Sequence, residues 1–404
     1  MAGPASRVSR VLMAGPLAPF ADAYSAELRQ RGYTALTTVN ELREMARLSR
    51  WLEASGLAAA DLGGERIEQF LAVQRAQGRR GACSRPALRC LLEVLGALGA
   101  LTADEPARAG SPDEVVLACF ERYLLGERGL GAGTAAGYVR HARRFLDGLS
   151  ASGGLAGLAA GEVTGAVLRE SAAVSVSAAQ NFVCGLRAFL RFCFIEAIVE
   201  ADLSRAALSV TGRRSSPLPR GIGRADAAAL LGSCDRRSAI GRRDYALLIT
   251  LLRLGLRRSE VAALTLDDID WRQAELVVHG KGGREDRLPL PADVGEAIAG
   301  YLRRGRPATA RREVFLRARA PIRPLASGTV SSTVRRACRR AGVAEVGAHR
   351  LRHTVACEMV AAQVPLPQIG QVLRHRSLQS TAIYARIDVD QLRQLAQPWP
   401  GASR

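Results

Sequence analysis

The run Thr211-Gly-Arg-Arg-Ser-Ser-Pro-Leu-Pro-Arg220 decides what this chain can fold into, because it divides the sequence in two. Its two prolines lack backbone N–H groups and fix φ, and its polar and basic residues carry no apolar period, so it extends neither a core helix nor a core strand. It reads as a linker spanning 207–223. Apolar spacing is helical before it and mixed after it, and 404 residues exceed one typical core. The expected organisation is a tail over 1–17, a helical accessory or N-terminal domain over 18–105, a second helical domain over 112–206, the linker, a mixed domain over 224–396 and a tail over 397–404.

Upstream of the linker, helical periodicity runs through Phe20 to Leu28, Leu42 to Leu52, Ile67 to Val73 and Leu88 to Leu98. Arg31-Gly32-Tyr33 before a helix ending at Trp51-Leu52 has a counterpart in Arg128-Gly129-Leu130 before Phe145-Leu146, which is consistent with a duplicated helical unit. Phe182, Leu186, Phe189, Leu190, Phe192 and Phe194 make one helix apolar on more than one face, as expected of the core helix of its bundle or of a packing surface for a neighbour. Downstream, helices are expected over 226–231, 243–254, 258–264, 292–301, 327–341, 349–362, 366–373, 380–386 and 389–395. Alternation predicts short strands over 265–271, 275–279 and 287–290, with Gly280-Lys281-Gly282-Gly283 as a hairpin turn. The fold class is multidomain: helical bundles followed by a mainly helical α+β domain with a small antiparallel sheet.

The formal net charge of +19 and a pI near 10.8 imply a polyanionic partner, and an apolar content of 48% sets the chain apart from a basic ribosomal or chromatin protein. Of its 57 basic residues one is a lysine, Lys281. Where arginine has replaced lysine throughout, the surviving lysine marks a position that needs an ammonium able to lose its proton. Eight cysteines without C-x-x-C or zinc spacing read as small core residues of a reducing cytoplasm. Residues 1–19 hold no apolar run of signal-peptide length, and no segment has the run of apolar residues a membrane span requires. A cytoplasmic, nucleoid-associated protein with no membrane contact is the expectation.

Chemistry concentrates between His349 and Tyr384, in His349-Arg350-Leu351-Arg352-His353, Leu373-Arg374-His375 and Ile383-Tyr384-Ala385. Cations, imidazoles and one hydroxyl nucleophile, with no carboxylate cage, suit a phosphodiester. His349 and His353 share the i, i+4 spacing of zinc helices, but no glutamate follows His349 and the flanking arginines repel a dication, so no metal site is assigned. Glu260 follows Arg257 by three residues on one helical face, where it orients a cation rather than reacting.

From about Arg220 to Leu395 the sequence resembles the tyrosine recombinase (phage integrase) family. Leu254-Gly255-Leu256-Arg257-Arg258-Ser259-Glu260 is similar to its first arginine box, and Lys281 occupies its hairpin-lysine position. His349-x-x-Arg352-His353 is similar to the second box, and His375 followed nine residues later by Tyr384 to the last. The block from Pro112 to Ala206 resembles the family's helical, SAM-like core-binding domain more weakly. The resemblance implies Tyr384 as nucleophile, Arg257 and Arg352 offsetting phosphate charge, His349 as base, His375 donating to the phosphate, Lys281 as general acid, and His353 as a supporting residue. It further implies a 3′-phosphotyrosine intermediate that needs neither ATP nor cofactor, inverted half-sites in double-stranded DNA, a Holliday junction, and a homotetramer or a mixed tetramer with related recombinases. The family usually carries glycine where this chain has Arg374; if that glycine caps a helix in the left-handed conformation, an arginine there costs about 1 kcal/mol, and the local turn geometry is expected to differ from the family pattern.

DNA contacts are expected from Arg335, Arg336, Arg339 and Arg340 on one helix and from Arg140, Arg143, Arg144, Arg187 and Arg191 in the second helical domain. Two rival functions use the same residues: a type IB topoisomerase, and a DNA-binding relative without activity.

Overall fold

The computed structural model describes residues 6–8, 11–78, 85–101, 111–149, 154, 155, 157–212, 221–280, 284–375, 381 and 384. The chain groups into two compact units, one of residues 1–58, 89–95 and 216–404 and the other of residues 59–88 and 96–215. Sequence order and spatial grouping therefore differ: the unit that contains the mixed domain also takes in the start of the chain. Residues of the expected accessory segment are shared between both units.

In the first unit the chain begins with a hairpin of β1 (Ser6–Val8) and β2 (Val11–Met13), paired antiparallel, in a stretch that carries no strand pattern. Helices α1 (Ala21–Gln30) and α2 (Ala35–Ala54) follow, and Met13, Leu17, Tyr24, Leu28, Leu42, Met45 and Leu48 are fully buried there. Beyond α3 (Gly64–Ala76), which lies in the second unit, α4 (Arg85–Ala97) returns residues 89–95 to the first. The turn after α1 meets the mixed domain closely. Ile322 N–H donates to the Arg31 carbonyl at 2.8 Å, Glu93 takes Arg31 at 2.9 Å and Arg323 at 3.3 Å, and a Cβ added at Gly32 would lie 2.5 Å from Ile322 Cγ1.

The second unit contains α5 (Pro112–Gly126), α6 (Ala132–Asp147), α7 (Ala160–Ala173) and α8 (Val176–Ile195). Phe120, Phe145, Phe182, Phe189 and Phe192 form its core, with Phe120 and Phe189 edge to face at 5.2 Å. Helix α8 buries residues around most of its circumference, as its phenylalanine pattern requires.

The mixed domain is built around α10 (Ala239–Leu254), whose run from Ala246 to Leu252 is buried throughout. Ser238 caps its start by accepting from Gly241 N–H at 3.0 Å, and Gly255 ends it at φ +57°, the left-handed conformation open to glycine. Around it pack α9 (Arg224–Gly232), α11 (Arg258–Ala263), α12 (Ala292–Arg304), α13 (Ser327–Ala341) and α14 (Ala348–Ala361), and α15 (Leu366–Val372) follows α14. The sheet is antiparallel in the order β3 (Ile269–Asp270), β4 (Glu275–His279), β5 (Glu285–Pro289). The strand expected over 265–271 shortens to two residues because Asp268 folds back to accept from Thr265 N–H and Oγ1–H at 2.7 and 2.8 Å. Gly280 N–H donates to the Arg284 carbonyl at 2.7 Å, closing the base of the hairpin turn. The expected helix over 389–395 lies outside the described residues, as does most of that over 380–386.

Candidate active site

Helix α14 sets the site, because residues at i, i+3 and i+4 share a face. His349, Arg352 and His353 project from that face. Arg352 is 2% exposed, and its two terminal nitrogens donate to main-chain carbonyls, Nη1 to Gly255 at 2.6 Å and Nη2 to Leu373. Burial first, then the neighbouring Arg257 and Arg374 cations, bring its pKa down to about 10, so it remains charged at neutral pH.

Arg257 is the N-cap of α11, a position with extended backbone that turns its side chain back along the helix start. Its main-chain N–H and its Nη1 donate to the two oxygens of Glu260 at 2.8 and 2.6 Å, and its Nη2 donates to the Arg374 carbonyl at 2.9 Å. Glu260 opposes the loss of hydration with these bonds and the Arg374 charge, which together hold its carboxyl below the usual range. Arg374 is itself left-handed at φ +54°. The arginine at the family's glycine position thus adopts a left-handed turn, where an altered geometry was expected, and its side chain reaches Glu260 at 2.8 Å.

Tyr384 is 1% exposed and shares a hydrogen bond of 2.5 Å with His353 Nδ1. Burial pushes its phenol up to about 12, against a smaller lowering by Arg352. His375 stacks parallel to Tyr384 at 6.3 Å between ring centroids, and its Nδ1 bonds Thr381 Oγ1 at 2.7 Å. The His349 ring stands edge-on to His353 at 4.4 Å. Burial, and then like charge among these imidazoles and arginines, lowers His353 and His375 to about 4. His349 keeps solvent contact, yet partial desolvation and then Arg352, Arg257 and Arg258 lower it as well. Three guanidiniums thus face one carboxylate beside a buried phenol, and the surplus positive charge fits an anion.

Residues 222–391 match the phage integrase family. A putative integrase/recombinase, y4rA, of Sinorhizobium fredii is 40% identical over 96% of this chain and 96% of its own length. The chain belongs to the tyrosine recombinase (phage integrase) family. Its members are enzymes that break and rejoin DNA strands. The tyrosine recombinase XerD of Mycobacterium tuberculosis is 31% identical over 69% of this chain and 94% of its own length. A crystal structure of XerH site-specific recombinase bound to palindromic difH substrate has the same fold, with a TM-score of 0.56 and 19% identity over 82% of this chain and 94% of the other.

In this tyrosine recombinase the fold brings Arg257, Glu260, His349, Arg352, His353, His375 and Tyr384 around one centre. Lys281 lies outside the described residues. The stem that carries it is anchored by His279, whose Nε2 bonds the buried Asp268 at 2.7 Å. The expected DNA arginines divide by engagement. Arg335, Arg336, Arg339 and Arg340 share the exposed face of α13, where Arg336 donates to Thr333 Oγ1 at 3.0 Å, Arg339 pairs with Glu345 at 3.1 Å and Arg340 with Asp244 at 3.7 Å. In the second unit Arg140 and Arg191 are exposed, whereas Arg143 pairs with Glu114, Arg144 with Glu170 at 3.0 Å, and Arg187 bonds the Ala207 carbonyl at 3.0 Å. Asp268, His279, Thr381 and the carbonyls of Gly255, Leu373 and Arg374 join the site or its support without a sequence signal that singled them out. For Thr381, its position between His375 and Tyr384 on the final segment was the available clue.

Proposed function

We propose that this chain is a site-specific recombinase in which Tyr384 attacks a DNA phosphodiester to give a 3′-phosphotyrosine and a free 5′-hydroxyl. The observation that carries the reading is the buried Tyr384 hydroxyl, hydrogen-bonded to His353 and set beside the surplus charge of Arg257, Arg352 and Arg374. A phosphodiester carries one negative charge there and spreads more onto its non-bridging oxygens as a fifth oxygen approaches, which fixed guanidiniums stabilise.

The resting site is silent. Burial holds the Tyr384 phenol up and the His353 imidazole down, and both shifts oppose moving the proton before attack. Proton transfer therefore accompanies formation of the P–O bond. His353, which bonds the Tyr384 hydroxyl, takes the phenolic proton in place of His349, the base the resemblance implied; His349 is next in line and open to solvent, while His375 donates to the phosphate. The P–O5′ bond breaks as Lys281 delivers a proton to the leaving oxygen. A second 5′-hydroxyl then reverses the step, conserving the number of phosphodiester bonds without ATP. Pairwise exchange of this kind passes through a Holliday junction, with inverted half-sites and four protomers, or a mixed tetramer with related recombinases.

The first test sequences DNA recovered as a covalent adduct from cells expressing the chain, and rebuilds it as a duplex nicked beside the cleavage point. The wild-type chain is expected to give a protein–DNA band on a denaturing gel and Tyr384→Phe none. No band from the wild type removes the enzyme reading and leaves a DNA-binding relative. Relaxation of any supercoiled plasmid, without dependence on paired sites, marks a type IB topoisomerase instead.

A further inference from the structure

Arg374 adds charge to the site but touches none of the reacting groups in the step above, and its placement is unfavourable on three counts. Its φ of +54° is a conformation that L side chains rarely adopt. Its side chain is 6% exposed, close to the like charges of Arg257 and Arg352. Its Nε–H is buried with no acceptor among the described residues. Strain of this kind persists where the surroundings over-determine it, and it concentrates at functional sites.

What holds the residue is also what it holds. The Arg374 carbonyl accepts from Arg257 Nη2 at 2.9 Å, and the carbonyl before it, that of Leu373, accepts from Arg352 Nη2. Its guanidinium pairs at 2.8 Å with Glu260 Oε2, the oxygen that also takes the Arg257 main-chain N–H, while Glu260 Oε1 takes Arg257 Nη1 at 2.6 Å. The main chain at 373 and 374 therefore aims both arginines, and the side chain of 374 ties that turn to the carboxylate that orients one of them.

We propose that Arg374 is a positioning residue for strand cleavage, its Glu260 ion pair locking the left-handed turn whose carbonyls set Arg257 and Arg352. A glycine here supplies the turn without the tether, so the two functions separate by substitution. The inference rests on the reading that Arg257 and Arg352 engage the scissile phosphate.

The test uses the full chain on the nicked duplex described above, comparing wild type with Arg374→Gly and Arg374→Lys in single-turnover cleavage, equilibrium DNA binding and thermal melting. Glycine relieves the backbone strain, so Arg374→Gly is expected to melt no lower than wild type and to bind DNA within about two-fold, yet to cleave about ten-fold more slowly because the arginines are less well aimed. Lysine keeps a cation in reach of Glu260 and is expected to cleave faster than glycine. Cleavage by Arg374→Gly at the wild-type rate overturns the proposal, as does a lysine variant no faster than glycine. If the wild-type chain itself forms no adduct, it is the recombinase reading that fails.

Discussion

His353 and Tyr384 define how the nucleophile rests, since each is the other's hydrogen-bond partner. Replacing His353 by Phe keeps a ring but leaves the phenol without its acceptor, and single-turnover cleavage is expected to fall about a hundred-fold at unchanged DNA affinity. Equal rates in a quench-flow comparison remove the imidazole from the reaction. The imidazoles beside Tyr384 fix an acid dependence of stability. His353 and His375 titrate in the folded chain near 4, below their ordinary value, so the unfolded chain binds more protons between the two. Their contribution is complete above about pH 6.5 and is lost as pH falls towards 4. Calorimetry is expected to give a lower Tm at pH 4.5 than at pH 7, with a smaller drop in His353→Phe. At this scale the sequence was informative about which side chains the fold gathers, as at Arg257, Arg352 and Tyr384. It was silent about Gly255, Leu373 and Arg374 as acceptors, because a carbonyl is the same group at every position.

Helix ends, rather than helix bodies, position the site. Gly255 combines a left-handed φ with a packing constraint, since an added Cβ would lie 2.9 Å from Leu373 Cδ2. Gly255→Ala is expected to destabilise the chain by about 1–3 kcal/mol, read as a Tm decrease, and to slow cleavage because the Gly255 carbonyl holds Arg352. An unchanged Tm means that the turn tolerates a side chain. Helix bodies and β4 were readable from apolar spacing, and α13 matches its expected span. The strand over 265–271 was overstated because an alternating pattern does not show that Asp268 will bond the main chain three residues back. At Arg374 the sequence showed a missing family glycine and suggested an altered turn, whereas the residue is left-handed; the ion pair that accompanies it joins residues 114 apart and has no local signature.

Over the whole molecule, charge is the property most exposed to experiment. If α13 presents Arg335 and Arg336 to phosphates, their replacement by Ala is expected to weaken binding across all DNA sequences and to reduce the slope of log affinity against log salt by about 2. Fluorescence anisotropy over a salt series measures it, and an unchanged slope places the DNA elsewhere. No helix among the described residues is long and apolar enough to cross a membrane. The least readable feature from sequence was the first unit itself, in which β1, β2 and the Gly32 turn join residues from the far end of the chain.

That turn has a consequence for biosynthesis. Gly32 and its partner Ile322 are separated by the entire second unit, so at ribosomal speed the first waits on the order of tens of seconds for the second. Helices α1 and α2 can close over Leu28, Leu42 and Met45 in that interval, but the surface meant for Ile322 stays open to wrong neighbours and to proteases. A lesion at Gly32 is therefore expected to lower the yield of folded chain during translation, leaving the molecules that do mature with ordinary catalytic rates.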